Sequence, residues 1–211
     1  MKVIAINGSL HSKGNTYHAL DMVGVELKKA GIEFEVIHIG RKSLHRCLAC
    51  NNCATTKDEQ CTIKTDDLNK YIQKMKDADG ILLGSSSYYL GVSGTMKCFL
   101  DRVFQVAESN KNLFRHKVAA AVISAQHPGS MATFDSLNRY LTYSEMIIAG
   151  SGYWNVNNET RSYGMEYDGK VQEIMQILGK NMCWILKMKE TAKHNIQVQR
   201  KEVKEMTEFI S

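Results

Sequence analysis

The chain has 211 residues, of which 44% are hydrophobic, and this length predicts one domain with a single sizeable core. Its formal net charge of +5 is too modest to indicate a nucleic-acid-binding protein. No stretch is long and apolar enough to span a membrane, and the first residues resemble a strand instead of a cleavable signal. We therefore expect a cytoplasmic protein that binds neither nucleic acid nor membrane.

The first predicted strand, residues 1–7, is apolar, which is typical of a parallel sheet covered on both faces. A polar loop, residues 8–16, leads from it into a predicted helix at residues 17–30. The loop contains glycines, hydroxyl groups, an amide and a lysine. Such a loop can direct its N–H groups inward, beside the unpaired amides that begin the helix. We therefore predict that this loop binds a phosphate.

The residue types of this loop narrow the choice of phosphate. It lacks the three glycines of the G-x-G-x-x-G dinucleotide fingerprint, and it lacks the Gly-Lys-Ser/Thr sequence of the Walker loop. A hydroxyl-rich loop with Asn15 and Thr16 at the helix start can bind one terminal phosphate through neutral donors, which suits FMN. An ordinary strand-to-helix turn, capped by Asn15 or Thr16, is the alternative.

Predicted strands and helices alternate along the rest of the chain. The further strands are predicted at residues 32–39, 81–84, 118–123 and 146–149. The further helices are predicted at residues 66–77, 94–106, 131–143 and 168–188. This alternation predicts a three-layer α/β/α sandwich with a five-stranded parallel sheet and right-handed crossovers.

Two more polar loops follow predicted strands, at residues 85–93 and 124–130. Because ligands of such sheets bind beyond the carboxyl ends of the strands, we expect these loops and the first loop to meet at one crevice. Tyr88 and Tyr89 offer aromatic area beside a flavin ring, and plain packing at the sheet edge is the alternative.

Four of the six cysteines lie close together in a segment of irregular structure, residues 45–65. They are Cys47, Cys50, Cys53 and Cys61. Three thiolates spaced by two residues, with a fourth after seven, can hold a [4Fe-4S] cluster. A zinc site, a redox dithiol and a simple packing role are the alternatives.

These features together resemble the flavodoxin-like NAD(P)H-dependent FMN reductases, and within them the iron-sulfur flavoproteins. The features are residues 8–16, Cys47–Cys53, Asp66–Asp67, residues 85–93 and Lys97 with Asp101–Arg102. The resemblance implies a flavodoxin-like FMN-binding domain at residues 1–188, with strand order 2-1-3-4-5 and a cysteine-rich insertion at residues 45–65. The charged residues 189–211 are expected to form a helical extension.

The resemblance also implies where FMN binds. Its phosphate is expected at Ser9, His11, Lys13, Gly14, Asn15 and Thr16. Its ribityl chain and ring are expected beside Ser86, Ser87, Tyr88, Tyr89, Gly91 and Ser93. The loop expected to close over the flavin contributes Ser124, Ala125, Gln126 and Gly129. The sequence departs from the family in having Ser86 where proline is usual, and in a third loop with fewer glycines.

The sequence thus predicts an FMN-dependent oxidoreductase with a [4Fe-4S] cluster, which moves electrons from ferredoxin or NAD(P)H to an unidentified acceptor. No catalytic side chain is predicted, because the flavin N5 does the chemistry. The alternatives are an NAD(P)H-dependent FMN or quinone reductase without a cluster, and a flavodoxin-like electron carrier. A homodimer or homotetramer is expected from the same resemblance.

Overall fold

The fold is a parallel sheet between two layers of helices. The computed structural model describes residues 1–124, 130–157, 169–193, 195–197 and 199. The strands are β1 (Lys2–Asn7), β2 (Glu33–His38), β3 (Gly80–Tyr88), β4 (Gly91–Val92), β5 (Val118–Ser124), β6 (Ile147–Ile148) and β7 (Val156–Asn157). The helices are α1 (Asn15–Lys29), α2 (Asn52–Thr56), α3 (Leu68–Asp77), α4 (Gly94–Ser109), α5 (Ser130–Tyr143) and α6 (Gly169–Ala192).

The main strands lie in the order β2-β1-β3-β5-β6, and neighbours in this order are parallel. The predicted order 2-1-3-4-5 is confirmed, because β5 and β6 are the fourth and fifth predicted strands. The sequence pattern does not predict β4 or β7. β4 pairs antiparallel with the end of β3, and β7 pairs parallel with the end of β5. Both short strands therefore extend the carboxyl edge of the sheet.

The sheet separates two apolar cores, because successive strand residues point to opposite faces. In β1, Val3 and Ala5 pack with α1 and α6, whereas Ile4 and Ile6 pack with α3, α4 and α5. All four side chains are fully buried. A strand buried on both faces is apolar throughout, which explains the uninterrupted apolar sequence of β1.

The prediction of a loop at residues 85–93 is wrong for most of that segment. β3 continues to Tyr88 and reverses through Tyr89 and Leu90 into β4, which makes a hairpin. Tyr89 and Leu90 have φ angles of 46° and 63°, the left-handed values that a two-residue type I′ turn requires. Pairing with β4 and β5 outweighs the weak strand propensity of three consecutive serines.

Smaller differences concern the ends of helices. α2 lies within the segment predicted to be irregular. α3 begins at Leu68, two residues after the predicted start, with Asp67 at its N-cap position. α6 continues to Ala192, past the predicted end at residue 188.

Residues 125–129 of the third loop and residues 200–211 of the expected extension lie outside the described residues. Of the helices in the described ranges, none is both long and apolar enough to cross a bilayer.

Candidate functional site

The first two predicted binding loops lie side by side at the carboxyl edge of the sheet. The N–H of Gly8 donates to the carbonyl of Gly84 in β3, at 2.8 Å. The hydroxyl of Ser93, which begins α4, donates to the carbonyl of Gly8 at 3.0 Å. On the neighbouring strands, Ser86 of β3 is in register with Ser124 of β5. These contacts bring the ends of β1, β3 and β5 together around one site.

Hydrogen bonds within the first loop hold it in a tight turn. The Asn7 side chain accepts from the N–H of Ser9 at 3.0 Å and donates to the carbonyl of Ser12 at 3.2 Å. The N–H of His11 donates to the Ser9 hydroxyl at 3.3 Å, and the N–H of Gly14 donates to the His11 carbonyl at 3.2 Å. The protein's own contacts thus fix the shape of the loop, which preorganises it for a ligand.

The N-terminus of α1 follows this loop and is suited to an anion. Its N-cap residue is Gly14, so no side chain caps the helix, and its first turn contains no acidic residue. The hydroxyl of Thr16 in the first turn is buried, and it has no hydrogen-bond partner among the residues that the structure describes. A buried unpaired hydroxyl is unfavourable unless a ligand pairs with it, and the helix dipole favours a negative ligand. The start of α1 therefore fits a phosphate group.

Three further buried polar atoms lie at the same edge of the sheet and have no partner within the described ranges. They are Ser86 Oγ, Ser124 Oγ and Asn155 Oδ1. Asn155 directly precedes β7, and its carbonyl accepts from the N–H of Ile123 in β5 at 2.9 Å. Since buried polar atoms in native proteins are nearly always paired, this concentration of unpaired atoms indicates a polar ligand.

Exposed aromatic side chains surround this edge. Tyr88 and Tyr89 of the hairpin are 42% and 104% exposed, and Tyr153 and Trp154 before β7 are 59% and 51% exposed. The rings of Tyr153 and Trp154 are in contact, with centroids 4.7 Å apart. Large exposed apolar side chains that lie close together mark a binding surface. Sequence reasoning missed Tyr153, Trp154 and Asn155, because only β7 brings them to the site and a two-residue strand has no periodicity to detect.

The predicted FMN residues differ in their exposure. Those that are buried are Ser9, Gly14, Thr16, Ser93 and Ser124. Those that are half-buried are Asn15, Ser86, Ser87 and Gly91, and those that are exposed are His11, Lys13, Tyr88 and Tyr89. The hydroxyl of Ser87 is already hydrogen-bonded to that of Thr133, at 2.8 Å. Ala125, Gln126 and Gly129 lie outside the described residues.

The four cysteines of the predicted cluster site line one small cavity beside α4. Cys53 is buried, Cys47 and Cys61 are half-buried, and Cys50 is exposed. All four are free thiols. The chain winds tightly around Cys50, because its neighbours Ala49 and Asn51 have left-handed φ angles of 51° and 55°.

The lining and volume of this cavity bear on whether the cysteines can hold a cluster. Four thiols with close spacing are the donor set that a [4Fe-4S] cluster takes. The cavity volume is about 20 Å³, however, which is room for about one water molecule. Within the described ranges, no three His, Cys, Asp or Glu side chains are grouped as ligands of a metal ion. The donor set therefore fits such a cluster, and room for one would come from an outward shift of the loop around exposed Cys50, with Cys61 left in place.

Side chains of α3 and of the end of α4 hold the cysteine segment. Asn69 of α3 accepts from the N–H of Cys61 at 2.7 Å and donates to its carbonyl at 3.0 Å. Asn110, which follows α4, accepts from the N–H of Glu59 at 3.1 Å and donates to the carbonyl of Cys53 at 3.4 Å. Hydrogen bonds from individual side chains, and not pairing with a strand of the sheet, thus hold the segment against α3 and α4.

An open groove of about 1680 Å³ lies between the cysteine segment, α4 and α5. Its lining includes Val92 of β4 and Cys47, so it joins the hairpin to the cysteines. Within it, Lys97 Nζ lies 2.5 and 2.6 Å from the two carboxylate oxygens of Asp101, and the Tyr140 hydroxyl donates to Asp101 at 2.5 Å. Burial and this hydrogen bond raise the pKa of Tyr140 above its usual value.

Known proteins resemble this chain over most of its length. The family model for NADPH-dependent FMN reductase matches residues 1–161. An iron-sulfur flavoprotein of Methanocaldococcus jannaschii is 32% identical over 200 residues, which cover 89% of this chain and 98% of that protein. An FMN-dependent NADH:quinone oxidoreductase of Mesoplasma florum is 29% identical over 104 residues, which cover 48% of this chain and 51% of that protein. The solved structure of a flavodoxin from the domain Archaea aligns with a TM-score of 0.57 at 19% identity, covering 89% of this chain and 99% of that chain.

Proposed function

Because this chain belongs to the NADPH-dependent FMN reductase family, and within it to the iron-sulfur flavoproteins, we propose that it moves electrons between FMN and a [4Fe-4S] cluster. The family makes it a flavin-dependent oxidoreductase with a flavodoxin-like fold. The donor in this proposal is ferredoxin or NAD(P)H, and the acceptor is unidentified. We place its activity in the cytoplasm, where reducing conditions keep cysteines as thiols.

FMN binding is supported above all by the unpaired polar atoms at the carboxyl edge of the sheet. In this proposal the phosphate binds at the start of α1, where Thr16 and the first N–H groups donate to it. Ser86, Ser124 and Asn155 bind polar atoms farther along the cofactor. The exposed aromatic side chains cover the flavin and exclude water. When bound, FMN supplies the electron-transfer chemistry, and the protein supplies its position.

Cluster binding is supported by the spacing of the cysteines and by their shared cavity. Cys47, Cys50, Cys53 and Cys61 are the four proposed ligands. Val92 of the hairpin and Cys47 line the same groove, so the cysteine segment lies on the side of α4 that also faces the hairpin of the proposed flavin site. When bound, the cluster supplies a one-electron carrier.

A second candidate function is an NAD(P)H-dependent FMN or quinone reductase without a cluster. The small volume of the cysteine cavity favours it, since the thiols already pack closely. The likeness to a relative named as an NADH:quinone oxidoreductase also favours it. In this case the cysteines stabilise the segment beside α4 and carry no iron.

The deciding experiment is an absorption spectrum of protein purified without oxygen, with iron and acid-labile sulfide measured on the same sample. We expect flavin bands above a broad background that reductant bleaches, with about four iron atoms per chain. Cys53→Ser should lose the iron, whereas Cys98→Ser, outside the cysteine segment, should retain it. Flavin bands alone, after attempted cluster reconstitution, would instead favour the second candidate, and a colourless protein would contradict both.

A further inference from the structure

The side chain of Arg102 in α4 is a charge that the fold encloses completely. It is 0% exposed, and it forms an ion pair with Asp66, whose side chain is 6% exposed. Nη1 donates to the Asp66 carboxylate and to the carbonyl of His45, the latter at 3.3 Å. Burying a charged pair carries a large desolvation cost. The other hydrogen bonds of Arg102 must therefore help to offset that cost.

The other two guanidinium nitrogens face the sulfur of Cys61. Nε lies 3.4 Å and Nη2 lies 3.3 Å from Cys61 Sγ, and both N–H groups are directed at it. Nη2 also donates to the carbonyl of Ile63 at 3.3 Å. Arg102 and Cys61 both line the small cavity that the other three cysteines share. The Arg102 guanidinium therefore contacts the Cys61 sulfur at the wall of that cavity.

A neutral thiol is a poor partner for two buried N–H donors, because its sulfur is only a weak acceptor. A metal-bound thiolate carries negative charge and accepts such hydrogen bonds well. The two N–H contacts thus favour a role for Cys61 as a metal ligand over a role in packing alone.

We propose that Arg102 is a positioning residue, which fixes the Cys61 sulfur at the cavity and raises the reduction potential of the cluster. This inference rests on the proposed [4Fe-4S] cluster. Reduction adds one electron to the cluster and neither forms nor breaks a bond. Hydrogen bonds to a ligand sulfur stabilise the more negative reduced state, so they favour uptake of that electron.

The test uses the full chain with its cluster, in a double variant that leaves the net charge unchanged. Arg102→Met/Asp66→Asn removes the two N–H···S contacts together with both buried charges, so no unpaired charge remains in the core. Midpoint potentials of variant and wild type are measured by anaerobic redox titration. We expect the equilibrium constant for reduction to fall at least tenfold, which is 59 mV for one electron.

Two further variants separate this role from a structural one. Arg102→Lys keeps the positive charge but lacks the planar fork, so we expect it to retain iron and to show a smaller negative shift. Arg115→Met/Glu145→Gln removes another arginine–carboxylate pair, joined at 2.5 Å and away from the cysteine cavity. That control should leave the potential unchanged.

The outcomes distinguish failure of this inference from failure of the proposed function. If the wild type binds no iron after reconstitution, the proposed cluster itself is wrong. If the wild type and the Arg102 variants hold iron at the same potential, the inference about Arg102 is overturned. It is also overturned if both Arg102 variants fold, by circular dichroism, but lose their iron, because Arg102 would then serve only assembly of the site.

Discussion

At the scale of single residues, unpaired buried atoms locate the candidate flavin site. Thr16, Ser86 and Ser124 could be chosen from the sequence, because each is a hydroxyl residue just after a predicted strand or at a predicted helix start. Asn155 could not, because its position depends on β7, which pairs with β5 through only two residues. Local sequence patterns therefore identify hydroxyl residues on loops. They do not identify a side chain such as that of Asn155, whose place depends on pairing between strands far apart in the chain.

The Thr16 hydroxyl gives a direct test of the phosphate position. Thr16→Val keeps the shape of the side chain and removes only the donor. We expect FMN to bind about ten- to a hundredfold more weakly, because a hydrogen bond to a charged group contributes about 1.5–3 kcal/mol. The variant apoprotein should be at least as stable as that of the wild type, since in the part of the chain that the structure describes Thr16 has no hydrogen-bond partner to lose. Fluorescence titration with FMN and thermal unfolding measure the two effects.

A matched control for this substitution is Thr142→Val in α5, where the threonine is exposed. It should leave FMN affinity unchanged. Equal affinities for FMN in Thr16→Val and the wild type would contradict the phosphate position.

Stability should depend on pH through Lys117, which directly precedes β5 at the amino edge of the sheet. Its Nζ donates to the carbonyls of Lys76, at 2.7 Å, and Ala78. Burial, with repulsion by Lys189, lowers its pKa to about 8. Between pH 8 and about 10.5 the unfolded chain holds this proton more tightly than the fold does, so the unfolding free energy gains a contribution that rises with pH.

Comparison with Lys117→Met isolates this contribution, because other titrations are common to both proteins. Urea unfolding at several pH values should show wild-type stability rising relative to the variant between pH 8 and 10.5. A difference that stays constant or falls across this window would show that the pKa of Lys117 is not lowered.

At the scale of elements, the sequence predicts structure well where periodicity is long. β1, α1 and β5 are recognisable from their own apolar patterns, and all are found close to the predicted bounds. The β3–β4 hairpin is not recognisable, because Tyr89 and Leu90 occupy turn positions that usually favour Asn and Gly. Left-handed backbone at bulky residues is unfavourable and concentrates at functional sites, which suits its place beside the proposed flavin.

The turn after β2 lies against the loop at residues 8–16, which we propose binds the phosphate, and Gly40 allows this close approach. A Cβ atom at this position would lie 1.8 Å from the carbonyl oxygen of Ser9. Gly40→Ala must therefore displace the loop, and we expect a loss of about 1–3 kcal/mol in stability together with weaker FMN binding. Urea unfolding and FMN titration measure both quantities.

Gly150→Ala provides the comparison, because a Cβ atom there meets nothing within 4 Å. That variant should behave as the wild type in both measurements. If Gly40→Ala binds FMN normally, the approach of the β2 turn to the loop does not matter for the cofactor.

At the scale of the whole molecule, both cores form around a sheet whose carboxyl edge carries the candidate site. That architecture follows from the alternation of strands and helices, and it is the part of the structure that the sequence predicts best. The arrangement of residues 47–61 could not be predicted, because it depends on contacts such as that of the Asn110 side chain with the carbonyl of Cys53, 57 residues away in the chain.

Assembly of the molecule is the remaining prediction at this scale. The exposed aromatic residues around the site would be covered by a second copy of the chain, so we expect a homodimer or homotetramer. Sedimentation equilibrium at micromolar concentration measures the mass directly. A monomeric mass under these conditions would contradict the expectation, and Tyr89→Ser should weaken the assembly if the hairpin lies in the contact.

The side-chain docking of residues 47–61 also bears on the order of events when the protein is made in the cell. This segment belongs to no strand of the sheet, and Cys53 is the cysteine of the four that is buried in the core. The newly made domain can therefore fold before any iron reaches it. If the chain carries the proposed cluster, its insertion would then be a late maturation step on a folded protein, with iron and sulfide arriving from the side of exposed Cys50.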